Sequence, residues 1–297
     1  MQAFSSESFV LPLPDKHRFP MSKYSLLRQK VKTELQDIEI CVPRAATEGE
    51  LLEVHNPDYV EAVLKGELDA AQQRAIGFPW SPQLVERSRR SVGATIMALH
   101  SAISNGVSVN LAGGTHHSFA HKGQGYCVFN DSAVAARVLQ KSKLVQFPLI
   151  IDCDVHQGNG TASIFNKDAS VFTFSIHCES NFPVKKETSD LDIGLADGVN
   201  DDTYLQNLEN GLEQVNQLFQ ADCVIYVAGA DAFHDDRLGK LALTKSGLAK
   251  RDILVFDYCR SNHLPVAVCM AGGYANDVKD IVDIHFNTVK LARGNLY

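Results

Sequence analysis

Five short runs in this chain are apolar at nearly every position: "VSVNLA" (107–112), "FPLIIDCDV" (147–155), "VFTFSI" (171–176), "CVIYVAGA" (223–230) and "PVAVCMAGG" (265–273). A strand that does not alternate has no polar face to turn to water, so it must be covered on both sides. A mostly parallel sheet between two helical layers satisfies that demand. The segments between the runs carry helical signals. "SPQLVERSRRSVGATIMALHSAIS" (81–104) opens on Ser-Pro and repeats apolar residues at three- and four-residue steps. "DDTYLQNLENGLEQVNQLFQ" (201–220) opens on an aspartate cap, and "TKSGLAKRDILVFDYCRSN" (244–262) and "NDVKDIVDIHFNTVKLAR" (276–293) continue the series. The alternation predicts one α/β domain over residues 1–297, without internal repeat or linker.

With 297 residues, 45% of them hydrophobic, the chain has material for a large core. Its net charge of -7 gives no basic footprint for nucleic acid. "MQAFSSESFVLPLPDKHRFP" has neither the basic nor the apolar region of a secretory signal, and no apolar run reaches the roughly 18 residues of a membrane span. Seven scattered cysteines form no CxxC pair. Reduced thiols in a cytoplasmic protein are the expectation.

Four of the runs break into loops rich in glycine, histidine, aspartate and tyrosine: "AGGTHHSFAHKGQGYC", "DCDVHQGNG", "GADAFHDDRLG" and "AGGYAND". Sites in open α/β sheets form beyond the carboxyl ends of the strands, so these loops are expected around one crevice. Residues two apart on a strand share a face, which puts Asp152, Asp154 and His156 together. Adjacent carboxylates in an apolar strand are costly unless a proton or a cation neutralises them. A divalent metal does so, and Asp231, closing its own strand, is the third ligand candidate beside Asp154 and His156. A solvated charged loop and an aspartate helix cap are the plain alternatives for these residues taken singly; their combination favours the metal. His116 and His117, after two glycines, suit acid–base work near neutral pH better than a purely structural pair. Tyr274, on a similar glycine turn, can donate to a developing oxyanion.

In this order, "GGTHHSFAHKGQGYCVFND", "IDCDVHQGNG", "AGADAFHDDRLGKLALT" and "GGYAND" resemble the histone deacetylase / acetoin-utilisation / acetylpolyamine amidohydrolase superfamily, from about His55 to the last helix. The resemblance implies the arginase–deacetylase fold, an α/β fold with a single central, mostly parallel eight-stranded sheet and helices on both faces. It implies zinc-dependent removal of acetyl or longer acyl groups, with zinc on Asp154, His156 and Asp231. His117 is then the general base that activates the water and later protonates the leaving amine. His116 is its electrostatic partner, oriented by Asp152, and Tyr274 polarises the carbonyl. Tyr126 and Phe182 match the walls of an acyl-lysine tunnel. Gly125, Leu238, Gly272 and Gly273 fall beside the substrate, and Asp152, Asp154, His156 and Ser175 match a structural potassium site. Asn159 departs from class I and II members, which carry an aspartate there. The "HQGNG" form is similar to class IV deacetylases and bacterial relatives, some of which favour long acyl chains. An amide at 159 leaves His117 less basic than a carboxylate would.

An arginase-type ureohydrolase shares the fold, but its two-manganese chemistry needs a ligand where this chain has Phe233. A non-catalytic acyl-lysine reader is a third possibility, disfavoured because every ligand, both histidines and the tyrosine are present. The substrate is an acyl-lysine protein or peptide, or a small acylated amine. An Asp₂His site accepts zinc or iron(II). The segment "AQQRAIGFPWSP" (71–82), with Trp80, is expected at the rim.

Overall fold

The computed structural model describes residues 1–14 and 17–294; Asp15 and Lys16 of the N-terminal stretch, and residues 295–297, lie outside it. Eight strands make one sheet: β1 (Gln2–Phe4), β2 (Glu39–Cys41), β3 (Val107–Asn110), β4 (Pro148–Asp152), β5 (Phe172–Cys178), β6 (Leu191–Leu195), β7 (Cys223–Val227) and β8 (Val266–Cys269). Their order is β2-β1-β3-β8-β7-β4-β5-β6, and every pairing is parallel.

Among the described residues ten α-helices surround the sheet: α1 (Lys23–Glu34), α2 (Glu48–Leu51), α3 (Pro57–Lys65), α4 (Ala70–Ile76), α5 (Pro82–Asn105), α6 (Asp131–Lys141), α7 (Asn159–Phe165), α8 (Asp201–Leu218), α9 (Lys245–Ser261) and α10 (Val278–Gly294). The apolar runs feed two cores. Val224 and Tyr226 of β7, with Val266 and Val268 of β8, face a core completed by α1, α8, α9 and α10. Cys223, Ile225 and Val227, with Ala267 and Cys269, face the opposite core, completed chiefly by α3, α5 and α6. Alternate residues enter different cores, and that is why the runs do not alternate in polarity.

Three details differ from expectation. Strands β3, β4, β7 and β8 are shorter than their apolar runs: β4 ends at Asp152, so Asp154 and His156 stand on the following loop and are aimed by it rather than by the pleat. Helix α8 is capped by Asn200, whose side chain accepts from the Thr203 amide. Asp201 is instead the first helical residue, and its carboxylate accepts from the amide and hydroxyl of Thr244, the cap of α9. Strands β1 and β2, three residues each, and β6, which is largely uncovered, lie toward or at the sheet's margins, so they carry little apolar signal. Among the described residues no helix is long and apolar enough to cross a membrane.

Candidate active site

The four strands β3-β8-β7-β4 are consecutive in the centre of the sheet. Their carboxyl ends launch the four polar loops, so the loops meet because their strands do.

Asp154, His156 and Asp231 are buried and each presents a ligand atom to the others within 4.8 Å. His156 Nδ1 lies 3.0 Å from Asp154 Oδ1 and 3.3 Å from Asp231 Oδ2. Those separations are close to the about 3.3 Å between ligand atoms of a tetrahedral ion with bonds of about 2 Å. The other oxygens are held by backbone: Asp154 Oδ2 accepts from Gly272 N (2.9 Å) and Asp231 Oδ1 from Val155 N (3.0 Å). Asp231 Oδ2 is buried and accepts no hydrogen bond. An orphaned carboxylate oxygen facing an imidazole and a second carboxylate is what a divalent cation satisfies. The electrostatics agree. Burial and the Asp154 charge push Asp231 up to about 6. Burial opposes a charge on His156, yet its hydrogen bond to Asp154 and the nearby carboxylate of Asp231 push it up to about 10. The donor set fits zinc or iron(II). Gly272 permits the approach, since a Cβ there would lie 1.8 Å from Asp231 Oδ2. Phe233 is buried and offers no ligand atom, which removes the two-metal arrangement.

Asp152 turns away from this triangle. Its Oδ2 lies 2.6 Å from His116 Nδ1, while its Oδ1 accepts from Asp154 N at 3.1 Å. Burial disfavours a charge on His116, but Asp152 and Asp154 override it and push its pKa up to about 9. His117 meets Asn159 instead: Nδ1–H donates to Oδ1 at 2.8 Å. Burial and the neighbouring charges of His116 and His156 hold His117 well below the usual imidazole range. Its Nε2 therefore carries a free lone pair at neutral pH. Tyr274 is buried, and burial with the charges of Asp231 and Asp154 keeps its phenol protonated far above neutrality. Ser175 pairs with Asp152 across β4 and β5, its hydroxyl 3.0 Å from His177 Nδ1.

A cavity of about 540 Å³ opens above these groups, lined by Gly125, Tyr126, Phe182, Leu238 and Tyr274, with His117 and His156 among its other lining residues. Phe182 stands edge-on to His117, with ring centres 4.9 Å apart. Tyr126 adopts a positive φ of 66°, held by a hydrogen bond that its backbone N–H donates to the Ile76 carbonyl. The Asn181 amide donates to the Leu238 carbonyl and its oxygen accepts from Lys240 N, which locks the two rim loops together. Of the expected rim segment, Arg74, Ala75, Ile76 and Gly77 line the mouth. Trp80 does not: its indole donates to the Val63 carbonyl and its ring covers Gly66. Gly273 lines neither this cavity nor the small one of about 40 Å³ beneath it, whereas Gly272 lines the latter.

Two supporting residues were not singled out from sequence. Asp236 accepts from the amides of Leu238, Gly239 and Tyr274, coupling the rim to the tyrosine turn. Arg251, fully buried in α9, donates to the carbonyls of Cys153 and Gly229, just ahead of two metal-ligand candidates. A signal was present: Arg251 and Asp252 occupy the step between Leu248 and Val255, where the helix faces the core.

Comparison with known proteins bears on the chemistry. The histone deacetylase domain matches residues 16–289. A protein of Picosynechococcus sp., described as uncharacterised, is 45% identical over 287 residues, 96% of each chain. Acetoin utilization protein AcuC of Bacillus subtilis is 31% identical over 252 residues, covering 77% of this chain and 65% of AcuC. Among solved structures, a histone deacetylase homologue from Aquifex aeolicus superposes with a TM-score of 0.85 at 24% identity, over 99% of this chain and 83% of its own. The chain belongs to the histone deacetylase domain family, has its arginase–deacetylase fold, and is a deacetylase-type hydrolase.

Proposed function

We propose that the protein hydrolyses an acyl-amide on a lysine side chain or a small acylated amine, with zinc or iron(II) held by Asp154, His156 and Asp231. The observation that carries this is the convergence of the ligand triangle, a neutral His117 and a protonated Tyr274 at the base of one aromatic-walled cavity. When bound, the ion supplies Lewis acidity to the carbonyl and acidifies a neighbouring water. His117 Nε2 takes the proton of the attacking water and returns it to the leaving nitrogen, while Asn159 keeps Nδ1–H pointed away from the reaction. Tyr274 donates its hydroxyl to the carbonyl oxygen as charge develops there. The C–N bond breaks, a C–O bond forms, and a carboxylate and an amine leave. Asn159 supports a place beside class IV and bacterial members, and seven free thiols support a reducing, cytoplasmic setting.

The test is hydrolysis of lysine peptides carrying acetyl, octanoyl and myristoyl groups, and of acetylpolyamines, by metal-loaded protein, apo protein and His117→Ala. Turnover that needs the metal and falls at least about 100-fold in His117→Ala supports the proposal. No turnover on any of these amides overturns it.

A further inference from the structure

Lys23 opens helix α1 and is only 1% exposed. Its Nζ donates to the carbonyls of Ala271 and Gly273, at 3.1 and 3.4 Å. Among the described residues its polar partners are these carbonyls and no carboxylate. Three aromatic faces complete its surroundings: Phe19, Tyr24 and Tyr274, with ring centres 5.1, 5.4 and 5.3 Å away. A buried ammonium without a counter-ion is costly, and such groups are retained where they do something a neutral side chain cannot.

The two carbonyls belong to the turn that carries Tyr274. That turn is unusual: Ala271, a non-glycine, has φ 54°, and Gly273 has φ 148°. Residues in such conformations persist only when their surroundings over-determine them. Lys23 holds the turn from the α1 side, by charge-assisted bonds to carbonyls that would otherwise lack a cationic partner. From the other side Asp236 accepts from Tyr274 N at 2.6 Å, and Arg237 Nε donates to the Tyr274 carbonyl at 2.8 Å. Within the turn Gly272 N reaches Asp154.

We propose that Lys23 is a positioning residue for Tyr274: it pins the 271–273 carbonyls and faces the phenol ring with a cation, so the hydroxyl is held where the carbonyl oxygen of the substrate arrives. The inference rests on the role proposed above for Tyr274. Lys23 touches no reacting atom; it acts through the turn, and its loss lowers kcat rather than substrate binding.

The experiment measures kcat and KM on an acetyl-lysine peptide for the metal-loaded wild type, Lys23→Met, Lys23→Arg, Tyr274→Phe and Lys23→Met/Tyr274→Phe. Metal content and thermal midpoint are followed for each. Lys23→Met is expected to lower kcat by about 30-fold with KM nearly unchanged, less than the about 100- to 1000-fold of losing an oxyanion donor outright, because the hydroxyl is displaced and not removed. Lys23→Arg, which keeps the charge and the donors, restores most of it. In the Tyr274→Phe background the same change costs no more than about 3-fold, because the group it positions is already gone. A wild-type kcat in Lys23→Met, or an undiminished effect in the Tyr274→Phe background, overturns the proposal. Unchanged turnover in Tyr274→Phe alone instead removes the tyrosine from the mechanism. Lys23→Gln replaces Lys23→Met if the latter does not fold. Ring-labelled tyrosine NMR supplies a readout independent of turnover. The Tyr274 signal, assigned by Tyr274→Phe, should shift or broaden in Lys23→Met and return in Lys23→Arg; an unmoved signal also overturns the inference.

Discussion

His116 and His117 follow one another in the chain, stand 4.1 Å apart ring to ring, and are both buried, yet they hold their protons oppositely. His116 faces a carboxylate at the end of β4; His117 faces an amide at the start of α7. Same residue, same turn, same burial: His116 stands against the carboxylates of Asp152 and Asp154, whereas His117 has an amide at Nδ1 and the charges of His116 and His156 beside it. A third buried histidine calibrates the pair. His55 donates from Nδ1 to the Phe119 carbonyl and accepts at Nε2 from Asn130 N, so both nitrogens are consumed by backbone. Burial pushes it down to about 4. His55 is what a structural histidine looks like here, and it differs from His117 in having no nitrogen left for chemistry.

The contrast can be broken at the carboxylate. Asp152→Asn removes the charge opposite His116 while keeping an oxygen for the Asp154 amide. Loss of such a supporting group is expected to cost about 10- to 100-fold in turnover or metal affinity. Steady-state kinetics with a metal titration checks it, and wild-type values in both would show that His116 needs no charge.

A smaller effect is expected from making the two histidines alike. Asn159→Asp places a carboxylate opposite His117, which raises its pKa. The acid limb of the kcat/KM profile then moves to higher pH, by about one unit or more. A profile that superposes on the wild type would mean that His117 is not the group titrating there.

The smallest effect sharpens the comparison through stability. Folded His55 titrates near 4 and unfolded histidine near 6.5, so the unfolded chain binds more protons between those values. The stabilisation is complete above about pH 6.5 and is lost as pH falls toward 4, amounting to about 2 kcal/mol between pH 7 and 5. Urea unfolding of the wild type should show that loss, and His55→Gln should flatten it. Equal pH slopes in the two proteins would rule out His55 as its source.

Much of the site was legible because its residues interrupt strong local patterns. Asp152, Asp154 and Asp231 stand where a buried strand should end in apolar residues, and the histidines and Tyr274 follow paired glycines. The remaining groups lie inside patterns that look ordinary. Lys23 stands in the first turn of a helix, where a cation normally faces water, whereas Arg251 at least shares the core-facing step of α9. The segment 71–82 is expected at the rim, but only the fold decides that the last turn of α4 and Gly77 supply it. Trp80, the conspicuous residue of that segment, is tied to α3 instead.

By itself, the sequence determined the double-sided sheet and the chemical identity of the metal-ligand and acid–base candidates, since these depend on composition and spacing over a few residues. Tertiary structure alone decided how near each histidine stands to its carboxylate or amide, that Trp80 leaves the rim while α4 joins it, and what steadies the tyrosine turn. Those outcomes depend on contacts between distant parts of the chain, such as Lys23 with Ala271 and His117 with Asn159. In a buried site it is the atom opposite, wherever it comes from in the chain, that sets a group's charge and aim.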